Sequence, residues 1–272
     1  MGGMKNITMK KVLSLFLSDN ALLGLQNLKK KFFPNKKQKA RIKQEAENIT
    51  KRRLFYNQFI GHNDLCFDVG ANVGNRVSTF LDIGTKVVAV EPQESCCRIL
   101  KNKFGNKIEI ISKGLGESEC VKDFYVSDAS TISSFSVEWI NLVKENRFKE
   151  YNWDKVIKIE ITTLDKLIEQ YGVPAFIKID VEGYESDVLK GLHVPVKMIS
   201  FEYTVPEQLN KITDCIKLIE KNDANIECNY STGESMILAF HEWQPVEKMQ
   251  SHIHTKEFIS TGFGDIYVRL KK

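Results

Sequence analysis

The stretch Phe176-Ile-Lys-Ile-Asp-Val-Glu-Gly-Tyr-Glu-Ser-Asp187 decides the fold that we expect for this chain. It begins as an apolar strand, reaches an acid at Asp180, and passes through a glycine into a helix. A strand that ends in a carboxylate places that group at the carboxyl edge of a parallel sheet, where ligands bind. Asp180 and Glu182 are therefore the candidate site residues, whereas Glu185 and Asp187 suit the first turn of the helix.

A second strand edge lies upstream, at Asp68-Val-Gly-Ala-Asn-Val-Gly74. A glycine turn after a first strand lets backbone amides approach a ligand closely. The loop that binds the pyrophosphate of a dinucleotide needs a second glycine where this chain has Asn72. An acid at Asp68 would repel a pyrophosphate but suits an ammonium group, which the amino-acid end of S-adenosylmethionine carries. The loop therefore favours that cofactor; the alternative is a plain tight turn.

Apolar runs alternate with helical patterns from residue 64 onward, which predicts an α/β fold with mostly parallel strands. The predicted core strands are 65–69, 86–90, 108–112, 174–180 and 197–203, and the predicted helices are 73–81, 95–104, 164–171, 186–192 and 207–222. Half-exposed strands at 121–126 and 156–162 enclose a serine-rich loop (127–136), a candidate lid, and a helix near 137–145. We interpret this segment as an insertion on the carboxyl side of the sheet. Residues 236–241 and 264–271 are expected to close the sheet as an antiparallel pair.

Three further residues stand at strand ends where a nucleoside cofactor and its reaction partner would meet. Glu91 closes the second strand, and an acid there accepts hydrogen bonds from ribose hydroxyls. Gly114 follows the third strand, where it would let an adenine ring lie against the backbone or would simply serve a turn. Glu202 ends the fifth strand, where it would accept a hydroxyl proton, help to hold a divalent cation, or play a structural part. Lys178 shares a strand face with Asp180 and is expected to form a salt bridge with it; the alternative is that Lys178 acts as a base.

The first sixty residues differ in charge from the rest of the chain. Residues 1–60 contain 14 lysines and arginines against three acids, whereas the remainder has 25 basic and 32 acidic residues. We predict a basic helical N-terminal extension over 1–60, with helices at 1–17, 21–31 and 36–59, followed by a catalytic domain over 61–272. Such an arm suits an anionic surface; the alternative is a solvated helical face.

The bulk composition fits a globular protein rather than a disordered chain, with 42% hydrophobic and 27% charged residues. No apolar run reaches the 18 residues of a membrane span, and no secretory cleavage pattern follows the short apolar run at 12–17. The six cysteines form no Cys-x-x-Cys pair and are interpreted as reduced thiols. We therefore expect a cytoplasmic protein, peripheral to a membrane if the arm contacts one, and we predict no resident metal.

Four motifs in this order resemble those of the FkbM-type S-adenosylmethionine-dependent methyltransferases. They are Asp68-Val-Gly-Ala-Asn-Val-Gly74, Val90-Glu91-Pro92, Ile161-Thr-Thr-Leu-Asp165 and Ile177-Lys-Ile-Asp-Val-Glu-Gly-Tyr-Glu185. The resemblance covers about residues 60–270, and the Lys-Ile-Asp-Val-Glu-Gly run is its most specific part. It implies a seven-stranded, Rossmann-like class I methyltransferase sheet with one antiparallel strand. It also implies that Asp68, Gly70, Asn72, Gly74 and Glu91 hold the cofactor, with Asp180 and Glu182 where cofactor and substrate meet.

The resemblance further implies O-methylation of a hydroxyl on a sugar, glycan or natural product. A nearby carboxylate would take the hydroxyl proton, and Asp180, Glu182 and Glu202 are the candidates. A divalent cation that lowers the hydroxyl pKa is an open addition. The competing predictions are an NAD-dependent oxidoreductase, a nucleic-acid methyltransferase that uses the basic arm, and a cofactor-binding scaffold without turnover. The net acidic charge beyond residue 60 argues against a long nucleic-acid groove.

Overall fold

The computed structural model describes residues 36–271. The helices predicted at 1–17 and 21–31 lie outside the described residues. The chain divides into two compact units, one ending at Thr50 and the other beginning at Lys51. The first described helix, α1 (Lys36–Tyr56), ends in the second unit, which contains every element that follows it. No helix within residues 36–271 is both long enough and apolar enough to cross a membrane.

A seven-stranded sheet forms the centre of the second unit. In sheet order its strands are β3 (Ile108–Ile111), β2 (Lys86–Val90), β1 (Leu65–Val69), β7 (Phe176–Ile179), β8 (Met198–Thr204), β10 (Phe263–Leu270) and β9 (Ile226–Thr232). β10 is antiparallel to both of its neighbours, and the other adjacent pairs are parallel. The predicted α/β fold with one antiparallel strand is thus confirmed. The strand order reverses between β1 and β7, the position at which an open α/β sheet forms a ligand crevice.

Helices cover both faces of this sheet. They are α2 (Asn75–Ile83), α3 (Glu94–Phe104), α4 (Val137–Lys144), α5 (Leu164–Tyr171), α6 (Glu185–Leu189), α7 (Leu209–Asn222), α8 (Val246–His252) and α9 (Lys256–Ile259). Successive strand residues face opposite sides, so β7 contributes Ile177 and Ile179 to one apolar core and Phe176 to the other. The burial of both faces explains why the parallel strands are continuous apolar runs in the sequence.

The last turn of α1 belongs to the core of the second unit. Phe55 and Tyr56 are almost completely buried. Their rings contact Tyr267 of β10 at 5.3 Å and Phe80 of α2 at 5.1 Å, respectively, measured between ring centroids. Leu54, the residue before this pair, is in contrast 63% exposed. The domain boundary predicted at residue 60 remains a prediction.

The predicted insertion forms a second, three-stranded sheet. Its order is β4 (Gly114–Leu115), β6 (Lys155–Thr162) and β5 (Cys120–Val126). A 3₁₀ turn at Ser130–Ile132 and helix α4 lie between β5 and β6. A small apolar core of its own holds this part together, and it consists of Ile132, Trp139, Ile140, Val143 and Trp153. This packing holds the 127–136 loop against the main sheet.

The strand predicted at 236–241 is wrong. Met236 has a positive φ of 54°, which breaks an extended chain. Phe240 is instead bound by a side chain, because Asn229 donates to its carbonyl at 2.9 Å and accepts from its amide at 3.0 Å. The true partner of β10 is β9, whose central residues Asn229 and Ser231 are polar and fully buried. In β9 the apolar residues Ile226, Cys228 and Tyr230 alternate with polar ones, which is the pattern from which a strand is predicted.

Candidate active site

One cleft gathers most of the residues that the sequence singled out. It has a volume of about 280 Å³ and lies at the carboxyl ends of the central strands, beneath the insertion. The predicted residues that line it are Asp68, Gly70, Asn72, Glu91, Gly114, Asp180, Glu182 and Glu202. Ser130, Thr131 and Ser133 of the candidate lid line it as well. The two strand edges recognised in the sequence therefore border one cavity.

Gly70 is required because two strand ends meet there. Its φ is +84°, and a Cβ at this position would lie 1.8 Å from the carbonyl oxygen of Asp180. The amides of Gly70 and Ala71 both donate to the carbonyl of Val90, at 2.9 and 3.0 Å. The turn is thus held against β2 on one side and against the end of β7 on the other. A side chain at residue 70 would push these walls of the cleft apart.

Asp68 is a buried acid with unused hydrogen-bonding capacity. It is 2% exposed, and its Oδ2 has no hydrogen-bond partner within the described residues. Burial raises the pKa of Asp68 to about 6, against the opposing effects of Lys178, Arg76 and the backbone amide of Val77. A buried carboxylate oxygen without a partner is costly unless a ligand supplies one. An ammonium group entering the cleft would satisfy it.

Glu91 and Asn72 fix the neighbouring part of the cleft. Oε2 of Glu91 accepts from the amide of Asn72, and Oε1 accepts from the amide of Gln93, both at 2.8 Å. Burial raises the pKa of Glu91 to about 7, although these two amides pull it down. A carboxylate oxygen has two lone pairs, so each oxygen can still accept a hydroxyl. This arrangement suits the paired hydroxyls of a ribose.

The insertion loop is hydrogen-bonded to the same corner of the cleft. Asn72, whose φ is +45°, donates from its Nδ2 to Oγ of Ser130 at 3.2 Å. Gln93 donates from its Nε2 to the backbone carbonyl of Ser130 at 2.9 Å, and Ser133 donates to Oε1 of Gln93 at 3.4 Å. The 127–136 loop is therefore a wall of the cofactor region. The sequence indicated this loop but gave no sign that Gln93 is its anchor.

The two remaining predicted glycines occupy different environments. Gly114 lines the cleft, and a Cβ there would lie 2.6 Å from the ring of Phe135. Phe135 packs against Phe124 and Tyr184 at centroid distances of 4.6 and 5.4 Å, which makes an aromatic wall. Gly74 does not line the cleft. It precedes α2 with a φ of +79° and packs against Leu100 and Phe104 of α3, so its part is structural.

Three acids converge in the same cleft. Asp180, Glu182 and Glu202 each offer a carboxylate oxygen, and these atoms lie within 4.8 Å of one another. Burial, followed by the charge of Asp180, raises the pKa of both Glu182 and Glu202 well above its usual range. Burial also acts on Asp180, but the adjacent Lys178 ammonium brings the pKa of Asp180 below its ordinary value. The cluster thus contains one firmly ionised acid and two acids that hold protons readily.

Lys178 is the counter-charge of this cluster, as predicted. Its side chain is 1% exposed. The ammonium nitrogen lies 2.9 Å from Oδ2 of Asp180 and 3.1 Å from Oδ1 of Asp265. Asp265 in turn accepts from the hydroxyl of Tyr267 at 3.3 Å. The sequence predicts the strand that contains Asp265. It contains no local signal that Asp265 would contact Lys178 of β7. The pairing across β8 supplies that contact.

The turn after β7 aims Glu182 at the cleft. Glu182 has a positive φ of 54°, and its carbonyl accepts from Oγ of Ser134 at 2.7 Å. Glu185, the first residue of α6, accepts from the amides of Val181 and Gly183 at 3.1 and 3.2 Å. It is 4% exposed, and burial raises its pKa to about 7. Asp187 pairs with Lys190 at 2.9 Å and does not line the cleft.

The cleft chemistry fits S-adenosylmethionine. Asp68 offers an unpartnered anionic oxygen for an ammonium, Glu91 offers acceptors for ribose hydroxyls, and the aromatic wall beside Gly114 offers apolar surface for a base. The three-acid cluster has the oxygen ligands that a divalent cation prefers, or it can share a proton among its members. Either occupant would relieve the repulsion between these carboxylates. The candidate cofactor residues and the three-acid cluster thus line one cavity.

The chain is similar to several solved methyltransferase structures. It is similar to precorrin-6y C5,15-methyltransferase from Geobacter metallireducens GS-15, with 9% identity, coverage of 84% of this chain and 86% of that chain, and a TM-score of 0.41. It is also similar to a TehB-like SAM-dependent methyltransferase from Corynebacterium glutamicum, with 8% identity, coverage of 87% and 100%, and a TM-score of 0.42. A third similar structure is the O-methyltransferase from Bacillus cereus in complex with SAH, with 11% identity, coverage of 83% of this chain and 81% of that chain, and a TM-score of 0.38. At these values the likeness supports no inference about the substrate.

Comparison with curated proteins finds no significant match to the sequence. The Methyltransferase FkbM domain, in contrast, matches residues 68–230. This match begins at Asp68 and includes Glu91, Asp180 and Glu202, whereas Asp265 lies beyond it. The prediction of the family and of its cofactor is thereby confirmed. The chain belongs to the FkbM family of S-adenosylmethionine-dependent methyltransferases.

Proposed function

We propose that this methyltransferase transfers a methyl group to a hydroxyl oxygen of a sugar, glycan or natural-product acceptor. The observation that carries the proposal is the three-acid cluster of Asp180, Glu182 and Glu202. Its oxygens lie within 4.8 Å of one another in the cleft that also contains Asp68 and Glu91. A cluster of carboxylates suits an acceptor that donates hydrogen bonds and must lose a proton. A polyhydroxylated molecule meets both conditions.

The chain's own residues would bind and orient the reactants. Asp68 holds the ammonium of the cofactor, Glu91 holds its ribose, and the aromatic wall faces its base. The bound cofactor supplies a methyl group that its sulfonium already activates. The glycine turn and the insertion loop exclude water from the cleft and fix the alignment on which displacement depends. Alignment of this kind supplies several kcal/mol of the catalytic effect.

The hydroxyl proton of the acceptor passes to the acid cluster. Glu182 and Glu202, whose pKa values are raised, are the stronger bases once they are ionised. Asp180 stays ionised beside Lys178 and accepts a hydrogen bond that orients the acceptor. The acceptor oxygen would gain the methyl group as its O–H bond and the methyl–sulfur bond break, with S-adenosylhomocysteine as the leaving group, and a carboxylate oxygen would hold the proton until product leaves.

The test is a transfer assay with methyl-labelled S-adenosylmethionine and a panel of acceptors. Polyhydroxylated acceptors should be labelled in an ether linkage that resists mild base, and acceptors with blocked hydroxyls should not. Labelling confined to amines, to carbon, or to RNA would overturn the proposal. Saturable binding of NAD⁺ without binding of S-adenosylhomocysteine would instead support an oxidoreductase.

A further inference from the structure

Arg76 is a buried cation that forms an ion pair with an exposed acid. It is the second residue of α2, lines the cleft, and has a side chain that is 11% exposed. Its Nη2 donates to both carboxylate oxygens of Glu234, at 2.6 and 2.8 Å. Glu234 is 60% exposed and follows β9 in the chain. Because one nitrogen takes both oxygens, Glu234 does not use the two-nitrogen edge with which arginine binds carboxylates most tightly.

The guanidinium of Arg76 has an unsatisfied donor. Its Nε is buried and has no hydrogen-bond partner within the described residues. The unpartnered Oδ2 of Asp68 belongs to the same cleft. The amide of Val77, the residue that follows Arg76, lowers the pKa of the Asp68 carboxyl. Nε of Arg76 and Oδ2 of Asp68 are thus a buried donor and a buried acceptor, and neither atom has a hydrogen-bond partner within the described residues.

We propose that Asp68 and Arg76 together form a site for an α-amino-acid zwitterion, in which Arg76 binds the carboxylate of the cofactor and Glu234 occupies Arg76 only until the cofactor arrives. The proposal rests on the cofactor site of the proposed function. It adds the residue that binds the carboxylate of the cofactor. An amino acid carries an ammonium and a carboxylate on one carbon, which matches the two unsatisfied groups. Its entry leaves the local charge unchanged, because each fixed charge gains one partner of opposite sign.

The exchange links cofactor binding to the loop that carries Glu234. Glu234 also lines the cleft, as Glu202 does. When a cofactor carboxylate replaces Glu234 on Arg76, the acid, whose side chain is already 60% exposed, is released to water. The loop after β9 then loses its tie to α2 at the edge of the cleft.

The test measures equilibrium binding by calorimetry with three ligands of graded structure. S-adenosylhomocysteine has the full amino acid, its decarboxylated analogue keeps only the ammonium, and 5′-methylthioadenosine has neither group. Arg76→Met should weaken binding of S-adenosylhomocysteine by about 10- to 100-fold, as expected for a charged hydrogen-bonded pair. Binding of the other two ligands should change by less than about threefold, within the error of such additive comparisons. Arg98→Met, which removes an exposed arginine paired with Glu94, should change none of the three.

A second variant tests the exchange itself. Glu234→Gln removes the competing carboxylate, so S-adenosylhomocysteine should bind more tightly and 5′-methylthioadenosine should bind as before. Equal loss of all three ligands in Arg76→Met would show a structural part for Arg76, and no loss of any would show that Arg76 is not a ligand; both overturn the proposal. Weaker binding of S-adenosylhomocysteine to Glu234→Gln would also overturn it. Failure of the unmodified protein to bind any of the three would instead count against the cofactor site itself.

Discussion

The ammonium nitrogen of Lys178 lies 2.9 Å from Oδ2 of Asp180, so a fully buried cation fixes the charge of the acid that ends β7. This contact makes Asp180 different from Glu182 and Glu202, whose pKa values are raised in the same cluster. Three chemically similar side chains therefore have two states near neutral pH. The division resembles an acid–base pair in that neighbouring environments push pKa values in opposite directions.

Replacing Lys178 should destabilise the fold strongly. Lys178→Met leaves Asp180 and Asp265 in a buried site without their cation, and breaking a buried pair in this way costs about 3–5 kcal/mol. Denaturant unfolding at pH 7.5 measures the change in the free energy of unfolding. Lys190→Met, which breaks the partly exposed pair with Asp187, should cost less than about 1 kcal/mol. Similar costs for both variants would contradict the assigned network.

Binding of S-adenosylhomocysteine should strengthen as the pH rises through about 6, the value to which burial raises the pKa of Asp68. Only the ionised carboxylate of Asp68 attracts the ligand's ammonium. The charged groups that act on the pKa of Asp68 are Lys178, Arg76 and Asp180. Asp68→Asn should weaken binding by about tenfold or more at pH 8 and should remove this part of the pH dependence. Calorimetric titrations at pH 5.5 and 8 measure both effects. An unchanged pH dependence in the variant would exclude Asp68 as its source.

Glu185 should oppose folding more as the pH rises. Burial raises its folded-state pKa from 4.5 to about 7, so the folded chain binds the proton more tightly than the unfolded chain does. The favourable contribution of protonated Glu185 is thus lost between about pH 4.5 and 7. Glu185→Gln keeps an oxygen that can accept from Val181 and Gly183 but does not ionise. Relative to the unmodified protein, this variant should gain about 2 kcal/mol in the free energy of unfolding between pH 5.5 and 8. A pH-independent difference would show that Glu185 is not buried as described.

Gly70→Ala should disrupt the cleft through a steric clash as well as backbone strain. The added Cβ would meet the carbonyl of Asp180 at 1.8 Å, whereas at Gly262, whose φ of +79° is similar, it would lie 3.8 Å from the nearest atom of Arg147. Gly262→Ala should therefore cost only the left-handed penalty of about 1–2 kcal/mol. Gly70→Ala should cost at least about 1–3 kcal/mol more and should lose cofactor binding. Thermal unfolding with and without S-adenosylhomocysteine measures both, and equal shifts in the two variants would contradict the clash.

Local patterns predicted the parts of this structure that local physics determines. β2 is a β-branched run buried on both faces, and it was predicted to the residue at Lys86–Val90. The acids at strand ends were found because parallel strands bring their carboxyl ends to one edge, whatever the length of chain between them. Asp68 and Asp180 line the same cleft for this reason alone. The insertion was recognised by the change from buried runs to half-exposed alternation.

Long-range partners were not predictable in the same way. Arg76 and Glu234 are 158 residues apart, and neither belongs to a motif. Asp265 contacts Lys178 only because β10 runs antiparallel beside β8, in a register that no local signal fixes. The apolar–polar alternation of Ile226, Cys228 and Tyr230 predicts a strand at β9, but nothing in that local pattern shows that the strand pairs with β10.

The most direct test separates cofactor binding from methyl transfer within the one cleft. Glu182→Gln and Glu202→Gln would be compared with Asp187→Asn, a neighbouring acid outside the cleft, by S-adenosylhomocysteine titration and by the rate of labelled methyl transfer to an acceptor identified in the panel. The account predicts that all three variants bind S-adenosylhomocysteine within about threefold of the unmodified protein. It predicts that at least one of the two cluster variants loses about 10²- to 10⁴-fold in kcat and that Asp187→Asn keeps its rate. Unchanged kcat in both cluster variants, with cofactor binding intact, would contradict the claim that the three-acid cluster is where the acceptor reacts.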